Sequence, residues 1–302
     1  MPEDQGKPAR LPAYVVRNRA AWTTSNEQYT AGSARESWAA KQITWGVWKV
    51  PEDDIKVLPD VRGLDVIELG CGTAYFGAWL KKLGARRVVG IDVTPAQLAT
   101  AREMNEEFGL GLEFIEANAE NVPLPSASFD LAFSEYGASI WCDPYKWIPE
   151  AARLLRPGGE LLFMRNSTLE ILCSPDDDVV GEKLIRPQKG MHHNTWQDEE
   201  SGESTVFHIS GSEQFKLLRD TGFEVLDFRE IFAPAGAVDH PYYKWTPVAW
   251  AKKWPNEEIW RARKAGRAAP PGRRKRRPTS PQGGEVKGRR PTSPRGGEVK
   301  KR

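Results

Sequence analysis

Four short clusters in this chain combine small, acidic and amide-bearing residues in a way that could hold a nucleoside. Glu68 precedes the run Gly70-Cys71-Gly72, and Asp92 lies twenty residues beyond Gly72. Asn118-Ala119-Glu120 follows, and Ser134-Glu135-Tyr136 comes last. Glycines at a tight turn let a ligand approach the backbone, and a carboxylate about twenty residues further on is spaced to accept both hydroxyls of a ribose. A dinucleotide fingerprint would require glycine at 75, where the chain has Tyr75. A pyrophosphate would meet that bulky side chain near a helix N-terminus, which disfavours NAD and FAD. Acidic Glu68 beside the turn also repels phosphate and favours a ligand with an ammonium group.

For these clusters to meet, each must follow a strand that ends at one edge of a sheet. The apolar run 64–69 enters the glycine turn, and beyond it Phe76, Trp79, Leu80 and Leu83 recur at helical spacing up to Gly84. A second buried strand is expected over 87–92. Thr94-Pro95-Ala96-Gln97 then reads as an N-cap, a proline at the first helical position and a capping-box glutamine, opening a helix that ends before Gly109. Further strands are expected over 112–116, 129–134, 160–164, 223–232 and 258–264, with helices over 144–155, 214–220 and 247–254. Repeated strand and helix with short loops predicts a Rossmann-like three-layer α/β sandwich around a mostly parallel, seven-stranded sheet. In such a sheet the ligand sits outside the carboxyl ends of the strands, where all four clusters fall.

At these residues the sequence resembles the class I S-adenosylmethionine-dependent methyltransferases, specifically the type 11 subgroup. The match runs over 66–75, 89–97, 116–125 and 129–164, most of the central domain. The resemblance implies S-adenosylmethionine as cofactor, with Glu68, Gly70, Cys71 and Gly72 flanking its methionine portion. It implies Asp92 at the ribose hydroxyls, Asn118 and Ala119 at the adenine edge and Ser134 beneath the sulfonium, with Val93, Gln97 and Glu120 also among the cofactor-binding residues. Ala74 stands where the family commonly has a third glycine, and Asn118 where an aspartate is common. Neither departure removes a reacting group.

Methyl transfer is an in-line displacement that rests on positioning, and a base is needed only when the acceptor must lose a proton. Glu135, Tyr136 and His192 of the His192-His193 pair are the candidates. That pair has no common zinc spacing and reads first as a polar loop, and no metal site is expected. Trp141 rather than proline precedes Cys142, and Ser134-Glu135-Tyr136-Gly137 is not the catalytic motif of amino-methylating DNA enzymes. A small-molecule acceptor is therefore expected. Trp196, His208, Tyr242, Tyr243 and Trp245 could shape its pocket. In the first 62 residues Tyr14, Trp22, Tyr29, Trp38, Trp45 and Trp48 suggest a helical lid, its aromatics either shielding a sulfonium, with Trp45 at the cofactor, or packing onto the sheet.

The 302 residues are 39% hydrophobic and 28% charged, enough to build a core. The longest run without Asp, Glu, Lys or Arg is Leu69 to Leu80, too short to span a membrane. Three cysteines at unrelated spacings support neither a disulfide framework nor a metal site, and a cytoplasmic location is expected. From Arg261 to Arg302 there are 16 Lys and Arg against two Glu, so the small overall charge of +2 hides an acidic body and a basic tail. Within the tail, residues 276–287 recur as 289–300 with one difference. Few of its residues could enter a core, so 266–302 is expected to be disordered, after a lid over 1–62 and a catalytic domain over 63–265. The tail could bind nucleic acid, which leaves two alternatives: an RNA-modifying methyltransferase, or a non-catalytic nucleoside sensor with a polyanionic partner.

Overall fold

The computed structural model describes residues 11–198 and 202–266. Helix α1 (Ala13–Ser25) passes through one π-helical turn (Asn26–Thr30) into α2 (Ala31–Ala39). A two-stranded ribbon, β1 (Thr44–Trp45) and β2 (Val50–Pro51), leads to the single-turn α3 (Glu52–Ile55). The central series is β3 (Asp65–Leu69), α4 (Tyr75–Lys82), β4 (Arg87–Asp92), α5 (Pro95–Phe108), β5 (Glu113–Glu116), β6 (Phe129–Glu135), α6 (Ala138–Trp141), α7 (Pro144–Leu154) and β7 (Leu155–Asn166). It continues with α8 (Thr168–Cys173), β8 (His193–Asp198), β9 (Gly202–Phe207), α9 (Gly211–Asp220), β10 (Phe223–Ile231), α10 (Val248–Ala251) and β11 (Glu257–Lys264).

The main sheet has seven strands in the order β10-β11-β7-β6-β3-β4-β5. Pairs from β7 to β5 are parallel, while β11 runs antiparallel to both β7 and β10. This is the mostly parallel, three-layer arrangement the sequence predicts. Alternate residues face opposite layers. Val66, Leu131, Phe133 and Leu162 pack with α2, α4 and α5, whereas Ile67, Leu69, Ala132 and Phe163 pack with α7 and α9. The N-terminal segment joins the first of these cores. Trp38 and Trp45 are wholly buried, and the Trp45 ring lies 4.9 Å from Phe76 and 5.8 Å from Phe133.

Pro95 starts α5 and Gly109, at φ 62°, stops it. The expected capping box does not form: Thr94 makes no side-chain cap, and the Gln97 amide donates to Thr30 Oγ1 at 3.0 Å. Burial against the π-helical turn draws Gln97 away from its own helix end. Strand β7 also begins earlier than expected and runs through Pro157-Gly158-Gly159, with a register shift where it meets β6. The polar loop expected around His192-His193 is instead the entry to the β8-β9 hairpin. Cys71, Cys142 and Cys173 are buried free thiols. Among the described residues no helix is long and apolar enough to cross a membrane. The expectations for the tail beyond 266 lie outside the described residues.

Candidate functional site

The turn after β3 is shaped by backbone. Gly70 and Cys71 N–H both donate to Ile91 O, at 2.8 and 2.9 Å, which ties the end of β3 to the end of β4. Gly70 has φ +74°, and a Cβ there would lie 2.6 Å from Ala138 N. Gly137 is the other half of this contact, because a Cβ on it would lie 2.2 Å from Gly70 O. Two main chains thus touch where β3 and β6 end, and only glycine fits either position. Asp92 completes the turn: Oδ2 accepts from Gly72 N–H and Oδ1 from Thr94 N–H, both at 2.8 Å. Ala74, the position of the absent third glycine, is left-handed at φ 59° as α4 begins.

These turns floor a cavity of about 880 Å³, a size that suits a drug-sized ligand. Its lining gathers Glu68, Gly70, Cys71, Gly72, Asp92, Val93, Gln97, Asn118, Ala119, Glu135 and Tyr136. Trp22, Tyr29 and Thr30 from the N-terminal helices form part of the wall, with Tyr75, Trp141, His240 and Pro241. Over this opening Tyr29 stacks on Tyr242 at 4.2 Å, and Trp22 meets Trp141 edge-on at 5.4 Å.

The floor of the site carries three acids, Glu68, Asp92 and Glu135, while Lys41 and Lys49 stand elsewhere in the lining. Glu68 Oε2 accepts from Gly77 N–H at 3.0 Å, Glu135 Oε2 from Tyr75 Oη at 2.8 Å, and Glu135 Oε1 from Gly46 N–H at 3.3 Å. Burial pushes the pKa of Glu68 well above the ordinary carboxylate value and raises those of Asp92 and Glu135, hydrogen bonds only partly offsetting it. Among the described residues no lysine or arginine forms an ion pair with any of the three. Behind Tyr136, whose backbone is left-handed at φ 49°, lies Glu257 on β11. Its Oε1 accepts from Tyr136 Oη at 2.7 Å and from Val47 N–H at 2.8 Å, and its Oε2 is buried without a partner. Among the described residues no group of three or more His, Cys, Asp or Glu could hold a metal.

Several expected site residues stand elsewhere. Ser134 is fully buried, donating to Leu69 O at 2.9 Å and accepting from Ser139 N–H at 3.1 Å, so it braces the β3-β6 junction rather than facing the cavity. Trp45 is core, its indole donating to Glu52 Oε2 at 2.7 Å. Glu120 accepts from Tyr14 Oη and from Asp143 N–H, fastening α1 to the start of α7. His192 is carried by the β8-β9 hairpin to Asp143, 3.1 Å away, and is not in the lining. Trp196, His208, Tyr242, Tyr243 and Trp245 do not line the cavity either; His208 is buried beside Thr168. The wall instead takes His240 and Pro241, from a segment without a sequence signal.

A family model described as a methyltransferase domain matches residues 67–163. The stretch includes β3 to β6 and most of β7, the strands whose ends floor the cavity. Residues 67–163 are thus a methyltransferase domain, and the chain is similar to S-adenosylmethionine-dependent methyltransferases. It is 30% identical over 177 residues to a Mycolicibacterium smegmatis protein named "Probable S-adenosylmethionine-dependent methyltransferase", covering 59% of this chain and 58% of that one. It is 32% identical over 110 residues to the malonyl-[acyl-carrier protein] O-methyltransferase of Pectobacterium atrosepticum, covering 36% and 41%. The chain thus spans less than two thirds of either relative's length. A solved S-adenosylmethionine-dependent methyltransferase from Mesorhizobium loti shares the fold, with a TM-score of 0.54 at 21% identity over 69% of this chain and 94% of that one. The methyltransferase cofactor, S-adenosylmethionine, suits the residues present. Gln97 Oε1 is a buried acceptor with no partner, directed at Gly72, and three unpaired carboxylates favour a ligand with positive charge.

Proposed function

We propose that this methyltransferase moves the methyl group of S-adenosylmethionine to a small-molecule acceptor. The observation that carries the reading is one cavity that joins the Gly70-Gly72 turn, Glu68 and Asp92 at one side to Glu135 and Tyr136 at the other, under aromatic rings of the N-terminal helices. In this reading Asp92 accepts the ribose hydroxyls, Asn118 and Ala119 meet the adenine edge, and Glu68 faces the methionine amine. Bound S-adenosylmethionine supplies an electrophilic methyl carbon on a sulfonium. The chain's own work is orientation by the strand ends and exclusion of water by the α1-α2 wall. A small acceptor fits this partly roofed cavity, and the relative from Pectobacterium carries an O-methyltransferase name.

Calorimetric titration with S-adenosylhomocysteine tests the reading. Replacing Asp92 by Ala should weaken binding by about 2 to 4 kcal/mol, since charge-assisted bonds to two hydroxyls are lost together with the support of Gly72. NADH should not bind. Unchanged affinity for S-adenosylhomocysteine in the folded variant would remove Asp92 from the site.

A further inference from the structure

We propose that the side of the cavity formed by Glu135, Tyr75 and Tyr136 binds the acceptor as a cationic amine. The proposal rests on the methyltransferase reading and narrows its acceptor to a nitrogen compound.

The cofactor accounts for Glu68 and Asp92, which stand on neighbouring strands at the glycine turn. Glu135 is left over. It ends β6, lines the cavity, and points to the α4 face, where Tyr75 Oη and Gly46 N–H each give it one hydrogen bond. A carboxylate has about four acceptor sites, so both oxygens keep capacity. Behind it the acid count rises rather than falls. Glu257 Oε1 holds Tyr136 Oη and Val47 N–H, and Glu257 Oε2 is buried with no partner at all, against the Gly46 that lines the cavity. Glu170 adds a further buried acid to the field at Glu257.

Burial raises the pKa of Glu135 and pushes that of Glu257 up to about 8, so Glu257 is held as the neutral acid and Glu135, which faces the cavity, is the carboxyl that a cation can pair with. Lys41 and Lys49 also line the cavity but form no ion pair with Glu135, so a neutral acceptor leaves the Glu135 carboxylate without a counter-charge. An ammonium pairs with it and enters a cavity whose lining includes the rings of Tyr29, Tyr75, Tyr136 and Trp141, whose quadrupoles attract a cation. The chemistry then balances. The ammonium gives one proton to the Glu135 carboxylate, and the freed nitrogen lone pair forms the N–C bond. The C–S bond breaks with its electrons remaining on sulfur, and the methylated amine leaves as a cation while Glu135 releases its proton to solvent.

The test uses two probes of one shape: choline, and 3,3-dimethyl-1-butanol, in which carbon replaces the quaternary nitrogen. Each is titrated calorimetrically into the full chain saturated with S-adenosylhomocysteine. Choline should bind at least about tenfold more tightly. Glu135→Gln should bring the two within about twofold of each other while S-adenosylhomocysteine still binds. Equal affinities in the wild type, or a preference for the neutral probe, overturn the proposal whether or not the variant folds. Failure of S-adenosylhomocysteine to bind sinks the methyltransferase reading instead, and the same pair titrated into the protein alone still reports on the cation site.

Discussion

Glu257 gives the sharpest prediction, because its effect on stability changes sign with pH. Burial, with repulsion from Glu135 and Glu170, pushes its pKa from the ordinary 4.5 to about 8. In the fold this acid stays protonated up to about that pH, whereas in the unfolded chain it ionises above 4.5. The stability it contributes is therefore complete below pH 4.5 and is lost as pH rises to about 8. Each pH unit carries about 1.4 kcal/mol, so wild type should lose about 3 to 5 kcal/mol across this window through Glu257, the lower figure allowing for its coupled neighbours. Glu257→Gln does not titrate. Its carbonyl oxygen can keep the bonds from Val47 and Tyr136, but its amide nitrogen takes the place of the unpartnered Oε2 and costs about 1 to 2 kcal/mol at every pH. The variant should then be less stable than wild type near pH 5 and more stable by about 2 kcal/mol near pH 8.5, the curves crossing between. Urea unfolding followed by tryptophan fluorescence at a series of pH values measures this. A difference that stays constant with pH would refute the claim that the Glu257 carboxyl is buried without a counter-charge.

Two backbone positions make simpler predictions. Gly137→Ala should cost about 3 kcal/mol or more, since its Cβ would lie 2.2 Å from Gly70 O and 2.5 Å from Leu69 O and neither strand end can yield; a loss under about 1 kcal/mol in denaturant would show that the β3-β6 junction is loose. Ala74→Gly should stabilise by about 0.5 kcal/mol, the relief of a left-handed alanine outweighing the added freedom of the unfolded chain. Thermal unfolding checks it, and a lower melting temperature would contradict the conformation at φ 59°.

Much of the site was legible because a parallel sheet delivers residues to one edge in sequence order. Glu68, Asp92 and Glu135 stand at the ends of strands, and the glycine turn and Asn118 just beyond them, where apolar runs mark the strand ends. The residues that stood elsewhere failed for a different reason, which β6 shows most clearly. Successive residues of a strand point to opposite faces. Phe133 packs with α4 and Ala132 with α7, so Glu135 shares the α4 face and looks into the cavity, whereas Ser134 must look the other way. Proximity to the strand end placed both in the site, and period-two alternation admits only one.

Aromatic residues and loops obey no such rule. Among the six rings in the first 62 residues, Trp22 and Tyr29 reach the cavity, while Trp38 and Trp45 sink into the core. What separates them is where each meets the sheet. Trp45 comes from the ribbon that crosses Phe76 and Phe133, and Tyr29 from a π-helical turn held at Gln97, beside the glycine turn. His192 and His240 make the same point from the other end of the chain. The adjacent pair drew notice by composition, yet the β8-β9 register sends His192 to Asp143; His240, a lone histidine before a proline, is brought to Tyr29 by a segment with no periodicity. The half of the cavity floored by the glycine turn is thus written in strand ends. The half walled by Tyr29 and His240 is assembled by contacts between residues up to 211 positions apart. Local pattern carries little information about such contacts, because each depends on how distant segments pack rather than on the residues beside it.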